Sequence, residues 1–509
     1  MYEADTIPKL IASGEARDPA ISSPGRLALN YDGLRSLCER TTRALNAFDI
    51  GRGDRVAIVS PNGPEAATIF LAVASAATAA PLNPGYRQAE FDFYLSDLNA
   101  KALLIPADME SPARDIASER GIPTIELEVD PAKPAGEFAL KPRTTISASP
   151  SRPAPAEPND VALVLHTSGT TSRPKIVPLT HRNITASAEN IRRTLRLTRE
   201  DVCLNIMPLF HIHGLIGAVL SSIAAGASVA CAPAFDALKF FRWFAETKPT
   251  WCTAVPTMHQ AILARATRNA AIIGAGRLRL IRSSSSPLPP QVMRELEKVF
   301  SAPVIEAYGM TEAAHQMSSN PLPPAERFAG SVGVAAGPEI ATMNEQGDLL
   351  KANEVGEVVI RGRNVTAGYD NNPEANAQAF TNGWFRTGDQ GYLDDAGYLR
   401  LTGRLKELIN RGGEKLSPVE IEIALLDHPR VAQAVAFAMP HPMLGEEVAA
   451  AIVLRQGAQV DENELRDFVA ARLAHFKLPR KFVFLDAIPK GPTGKLQRIG
   501  LAKVLGLES

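Results

Sequence analysis

Short apolar runs alternate with longer stretches of mixed polarity from residue 29 to residue 130. Val56 to Ser60 has the length and composition of a buried strand and stops at Pro61-Asn62-Gly63-Pro64, a sequence that breaks a strand and turns the chain. The stretch that follows, up to Ala80, reads as a helix, and Ala102 to Pro106 as a second strand. A β-α-β rhythm of this kind predicts a parallel sheet covered by helices. It recurs later in the chain. Val161 to Leu165 reads as a buried strand, Ile176-Val177-Pro178 as a return, and a helix opens near Thr180. Ser228 to Cys231, Thr253 to Thr257, Leu278 to Arg282 and the stretch from Val304 repeat the strand-then-turn signal.

Two zones interrupt the rhythm. Residues 131 to 158 are rich in Pro, Ala and Ser without a period, which predicts an exposed connector. From about Gly333 short alternating segments with glycine turns appear (Gly356 to Arg361, Gly383 to Thr387, Gly397 to Leu401). They predict a small β-barrel or meander. Beyond residue 404 the texture is mixed again. Pro418 to His428 is a helix that Ser417 caps with proline at its first position. Val431 to Met439 and Ala449 to Leu454 are strands, and Glu462 to Leu473 is amphipathic. The expected fold class is α/β. A large N-terminal domain, residues 1–403, holds helix-covered sheets plus a small β-barrel, and a mobile α+β C-terminal domain spans 404–509.

Composition narrows the function. With 509 residues there is ample length for more than one core. A net charge of −1 gives no field that attracts nucleic acid or an anionic membrane. The apolar runs Ala66 to Leu82 and Gly214 to Ala234 are rich in Ala, Gly and Ser, which favours helices buried against a sheet over membrane spans. Cys38, Cys203, Cys231 and Cys252 form no C-x-x-C pair and fit reduced core thiols of a cytoplasmic protein. The first residues lack the shape of a signal peptide, and the last are not a peroxisomal signal.

The candidate chemistry starts after the strand ending at Leu165. Thr167 to Ser172 carries five hydroxyls and one glycine in six residues, followed by Pro174 and Lys175. Backbone N–H groups, hydroxyls and an ammonium can cradle phosphate. A turn without function can have the same composition, but the position directly after a buried strand favours the cradle. The P-loop pattern of kinases and GTPases is absent. Farther on, Tyr308-Gly309-Met310-Thr311-Glu312 sits at the carboxyl end of a strand, where open α/β sheets bind ligands. Tyr308 offers a flat face, and Thr311 and Glu312 offer oxygens suited to Mg²⁺. Asp389, in Trp384-Phe385-Arg386-Thr387-Gly388-Asp389, can accept both hydroxyls of a vicinal diol.

These segments, with Gly403-Arg404-Leu405-Lys406-Glu407 and Pro489-Lys490-Gly491-Pro492-Thr493-Gly494-Lys495, resemble the motifs of the adenylate-forming enzymes. That superfamily contains acyl-CoA synthetases, luciferases and peptide-synthetase adenylation domains. The chain departs from its pattern at Ser172 and Ile176, where glycine is usual. The resemblance implies ATP, Mg²⁺ and CoA. It gives Thr167, Ser168, Gly169, Thr170, Thr171 and Lys175 to the phosphates, and Ala307, Tyr308 and Gly309 to adenine. Asp389 and Arg404 fall to the ribose, Glu312 with Thr311 to Mg²⁺, and Lys406 to a hinge. Gly412 and Gly413 line the pantetheine path, and Lys495 is the catalytic lysine. His211, after Pro208-Leu209-Phe210, borders the acyl pocket.

The expected acid is small and polar, because the pocket segments hold His211, His213, Ser283 to Ser286, His315 and Gln316. Thr311 to Pro321, Phe210 to Gly214 and Ile409 to Lys415 resemble the oxalate–CoA ligase branch. That likeness implies that Ser285 and His315 contact the second carboxylate. Other readings stay open: a ligase for another small polar or aryl acid, a luciferase-like enzyme, or a non-catalytic nucleotide-binding relative. The expected partners are a carboxylic acid, ATP and CoA, with no nucleic acid and no membrane insertion.

Overall fold

The computed structural model describes residues 4–142, 153, 155–167, 174–489 and 498–507. Two large sheets dominate its first four hundred residues. One has seven strands in the order Ala139–Pro142, Thr124–Glu128, Ala102–Pro106, Arg55–Val59, Thr78–Leu82, Val161–His166 and Ile176–Thr180. Its central pairs are parallel, and the strand at each edge is antiparallel to its neighbour. The other has nine strands. Its parallel centre runs from Val304–Met310 through Leu280–Ser283, Trp251–Ala254, Val202–Asn205 and Ser228–Cys231 to Pro19–Ser22.

Both sheets are covered on both faces, and the period of two along each strand shows it. Val56, Ile58, Ala102 and Leu104 share a core with Cys203, Val229, Cys231 and Trp251 of the other sheet. Helices Tyr31–Ala47, Pro64–Ala74 and His181–Thr194 lie in that shared layer. The alternate residues Ala57, Val59, Leu103 and Ile105 face an outer layer that includes Phe91 and Ile116. Leu204, Ala230, Cys252 and Ile281 face another, with Phe241, Leu263 and Leu296.

The structure adjusts several expected boundaries. The helix after Pro64 ends at Ala74, and Thr78–Leu82 is a strand of the seven-stranded sheet rather than a continuation to Ala80. Pairing between two neighbouring strands overrides the helix preference of an Ala-rich run. The connector at 131–158 contains a strand, Ala139–Pro142, antiparallel to Thr124–Glu128. Pro256 opens helix Pro256–Ala266 rather than a turn, because proline at a first helical position gives up an N–H that has no partner anyway. Ile176 starts a strand opposite His166, a place where a β-branched residue is at ease.

The expected β-barrel or meander is a five-stranded antiparallel sheet built around Trp384–Leu393, which pairs with Gly356–Arg361 on one edge. The other edge takes Phe380–Thr381 and Leu399–Arg404. Residues from 405 onward form a further five-stranded sheet with its own cores. Ser417 caps Pro418–Leu426 by accepting from the Glu420 N–H. The hairpin Ile409–Arg411 to Glu414–Leu416 turns on Gly412 and Gly413 at φ +58° and +96°. A two-residue turn with both φ positive suits glycine. The four cysteines are buried. No helix among the described residues is long and apolar enough to cross a membrane.

Candidate active site

Strand Val304–Met310 carries the first group. Tyr308 donates its hydroxyl to Asp389 Oδ2 at 2.5 Å, and Arg404 Nε donates to Asp389 Oδ1 at 2.8 Å. Asp389 and Arg404 are register partners on adjacent strands, so sheet pairing alone sets their approach. The Asp389 charge holds the Arg404 guanidinium well above its usual range. Burial, then the same carboxylate, pushes the Tyr308 phenol up. Tyr308, Gly309 and Met310 lie inside the strand rather than after it. Gly309 has a steric cause: a Cβ there would stand 1.6 Å from the His315 carbonyl oxygen.

The second group is centred on Glu312, in the turn Thr311–Ala313, with 6% of its surface exposed. Burial raises its pKa, while hydrogen bonding and the charges of Arg404 and Lys175 pull it back. Tyr369 donates to Glu312 Oε1 at 2.8 Å, and the Lys175 ammonium lies 4.5 Å from the centre of the Tyr369 ring. The base of the hydroxyl-rich loop is closed by two bonds. Lys175 N–H donates to Thr167 Oγ1 at 3.1 Å, and Thr167 N–H donates to the Lys175 carbonyl at 2.9 Å. Ser168, Gly169, Thr170 and Thr171 lie outside the described residues, as does Lys495.

The third group is a polar cluster inside the nine-stranded sheet. His213 begins a π-helix, His213–Leu220, a form often found at functional sites. Its Nδ1 lies 3.0 Å from Ser285 Oγ and its Nε2 2.6 Å from Thr253 Oγ1. The His213 and His315 rings stack at 4.8 Å. Arg282 Nη1 donates to His315 Nε2 at 3.0 Å, and Nη2 to Gln316 Oε1 at 3.3 Å. Gly217 leaves the room, since a Cβ there would come within 2.7 Å of His315 Nε2. Ser285 and His315 have φ of +76° and +96°, a costly conformation for side chains with a Cβ. His211 Nδ1 accepts the His213 N–H at 3.3 Å, next to this cluster.

A cavity of about 320 Å³ joins the first group to the third: its walls include Ser285, Ala307, Tyr308, Gly309, Asp389 and Arg404. Its far side is formed by the C-terminal part of the chain, including Glu422 and Arg498. Gly412 donates its N–H to the Leu444 carbonyl at 2.8 Å and does not line the cavity. Sequence reading placed His213 among the pocket residues but did not single out Arg282, Thr253 or Tyr369. Arg282 stands beside residues that were singled out, whereas nothing local marks Tyr369.

The donor set fits the cofactors. Among the described residues no group of three His, Cys, Asp or Glu side chains could cage a metal. A lone carboxylate beside a hydroxyl matches Mg²⁺, which takes most of its remaining oxygens from phosphates and water.

Comparison with known proteins agrees with this geometry. The family model "AMP-binding enzyme" matches residues 11–370, and "AMP-binding enzyme C-terminal domain" matches residues 420–495. The chain is 45% identical over 505 residues to an oxalate–CoA ligase of Arabidopsis thaliana, covering 97% of this chain and 98% of that one. It is 44% identical over 481 residues to an oxalate–CoA ligase of Saccharomyces cerevisiae, covering 90% and 88%. The ATP-bound crystal structure of MatB from Rhodopseudomonas palustris superposes with a TM-score of 0.87 at 30% identity, covering 99% of each chain. The chain belongs to the AMP-binding enzyme family, within the adenylate-forming CoA ligase superfamily.

Proposed function

We propose that this protein is an ATP-dependent oxalate–CoA ligase. One oxalate carboxylate attacks the α-phosphorus of ATP, giving oxalyl-AMP and releasing pyrophosphate. The thiol of CoA then attacks the acyl carbon and AMP leaves. The observation that carries the choice of acid is the Ser285–His213–His315 cluster, which reaches the cavity through Ser285. A wall that presents the Ser285 hydroxyl, backed by the His213 imidazole, suits a second carboxylate better than an alkyl chain.

The residues divide the work. Thr167 to Thr171 and Lys175 hold the phosphates, Ala307, Tyr308 and Gly309 flank the adenine, and Asp389 with Arg404 takes the ribose. Glu312, with Thr311, holds Mg²⁺, which supplies charge neutralisation at the phosphates. Tyr369 orients Glu312, and its ring steadies the Lys175 ammonium. His211 borders the acyl group, and Ser285 and His315 grip the second carboxylate. Lys495 meets the negative charge that develops at the α-phosphate. Residues 1–403 and 404–509 act as separate domains that turn about Lys406, so that the Gly412-Gly413 hairpin replaces Lys495 in the second step. The reading includes a cytoplasmic location and no nucleic-acid partner.

The test is a panel of acids: oxalate, malonate, glycolate, acetate, benzoate and a long alkyl acid, each with ATP, Mg²⁺ and CoA. The CoA thioester is identified by mass. Oxalate should give the highest kcat/KM, by about tenfold or more over any monocarboxylate, a difference of about 1.4 kcal/mol in transition-state binding. A preference for the alkyl or aryl acid would overturn the choice of oxalate.

A further inference from the structure

Arg282 is the most deeply set member of the polar cluster. It stands on strand Leu280–Ser283 with 0% of its surface exposed. Its side chain is among the largest fully buried of the described residues, and no carboxylate among them contributes to the field around it. The partners of its two terminal nitrogens, His315, Gln316, Thr253 and His213, include no carboxylate. Nε has no partner. Burial lowers its pKa to about 10, so it keeps its charge at neutral pH. A buried cation without a counter-ion is an expensive feature.

The surroundings are built to keep it there. The Gln316 amide donates to Thr194 Oγ1 and to the Ala336 carbonyl, each at 3.1 Å, which turns its oxygen toward the guanidinium. A guanidinium can only donate, and this gives the whole cluster a direction. His315 accepts at Nε2, so its proton sits on Nδ1. Arg282 Nη1 also reaches His213 Nε2 at 3.5 Å, which makes that nitrogen an acceptor and the Thr253 hydroxyl, 2.6 Å away, its donor. His213 therefore carries its proton on Nδ1 and donates it to Ser285 Oγ at 3.0 Å. The Ser285 hydroxyl hydrogen is then left for a ligand in the cavity that Ser285 lines.

We propose that Arg282 is the positioning residue that makes this site selective for a dianionic acid. Its fixed donors set both imidazole tautomers and turn the Ser285 hydroxyl into a donor, and its charge is balanced only when the acid brings a second negative group. The inference rests on the reading of the protein as an oxalate ligase and assigns its acid selectivity to a side chain that need not touch the substrate. A monoanion of similar size, such as glycolate, can fill the same volume but leaves the guanidinium uncompensated.

The experiment compares oxalate with glycolate in the wild-type protein and in Arg282→Met, Arg282→Gln and Arg282→Lys, by acid-dependent pyrophosphate release. In the Met and Gln variants kcat/KM for oxalate should fall about 100-fold, mainly through KM, and the oxalate-to-glycolate ratio should fall at least ~30-fold. Lys, which keeps the charge and loses the fork, should recover about tenfold of the loss in that ratio. A merely structural arginine would lower both acids in parallel and leave the ratio unmoved, and that result, or unchanged kinetics, would overturn the inference. Two neutral replacements and one charged one are included so that failure of a single variant to fold leaves the comparison intact. Failure of the oxalate reading itself shows separately, as a wild-type protein that prefers another acid.

Discussion

At the scale of single residues, what faces what across neighbouring strands, backbone as well as side chain, decides what this site can do. Gly309 is an example with a direct test. Gly309→Ala would press a methyl group into the His315 carbonyl, and backbone on both sides leaves little to yield. A loss of roughly 3 kcal/mol in chemical denaturation is expected, at the upper end of overpacking costs. Glu306 offers a second test. It lies in the cavity wall with 3% of its surface exposed, accepts the Leu288 N–H at 2.8 Å, and has no partner at Oε2 among the described residues. Burial raises its pKa to about 8. The folded protein therefore holds a proton that the unfolded chain releases near pH 4.5, so stability falls as pH rises between those values and levels off above about 8. Relative to Glu306→Gln, the wild-type protein should lose up to roughly 4 kcal/mol between pH 5 and pH 8. Parallel stability curves for the two proteins would contradict the shift.

How much of the site was legible depended on where its information lies. Tyr308, Glu312, Asp389 and Arg404 stand in contiguous motifs, and the structure brings three of them into hydrogen-bond contact. The serine run was legible as polar, but its members differ in role. Ser284 donates to the Ala307 carbonyl, the buried Ser283 hydroxyl has no partner among the described residues, and Ser285 lines the cavity. Arg282 drew notice only as the residue before that run. Its meaning depends on His315, Gln316 and His213, which reach it from other elements, and no local pattern records such a meeting.

At the scale of elements, strands were read more surely than what connects them. The run from Ala66 to Leu82 is apolar throughout, so periodicity could not separate helix Pro64–Ala74 from strand Thr78–Leu82. The strand exists because Arg55–Val59 and Val161–His166 offer it partners. Arg498 ties another set of elements together. It binds Glu407, just after the Arg404 strand, and Glu422 of helix Pro418–Leu426, the latter at 2.9 Å, and it donates to the Ala436 carbonyl at 2.9 Å. Arg498→Met leaves two half-buried carboxylates facing each other. The C-terminal part should lose about 3 kcal/mol, the usual cost of breaking a buried pair, read as a lower denaturation midpoint. Arg498→Lys should restore part of it.

At the scale of the whole molecule, the cavity lies where the nine-stranded sheet, the β-rich module and the C-terminal part meet. Such a place suits a reaction in which the site is rebuilt between two steps. The two-domain reading gives Lys495 to the first step alone. Lys495→Ala should slow adenylation by about 100-fold or more, with little effect on thioester formation from supplied oxalyl-AMP, as stopped-flow assays of each half-reaction would show. Equal losses in both would contradict the division. The central claim is that this chain joins oxalate to AMP before CoA takes part. Exchange of labelled pyrophosphate into ATP, measured with oxalate and Mg²⁺ and without CoA, tests it most directly. The account predicts rapid exchange that depends on oxalate and is lost in Asp389→Ala. Absence of exchange with oxalate, or exchange that requires CoA, would contradict it.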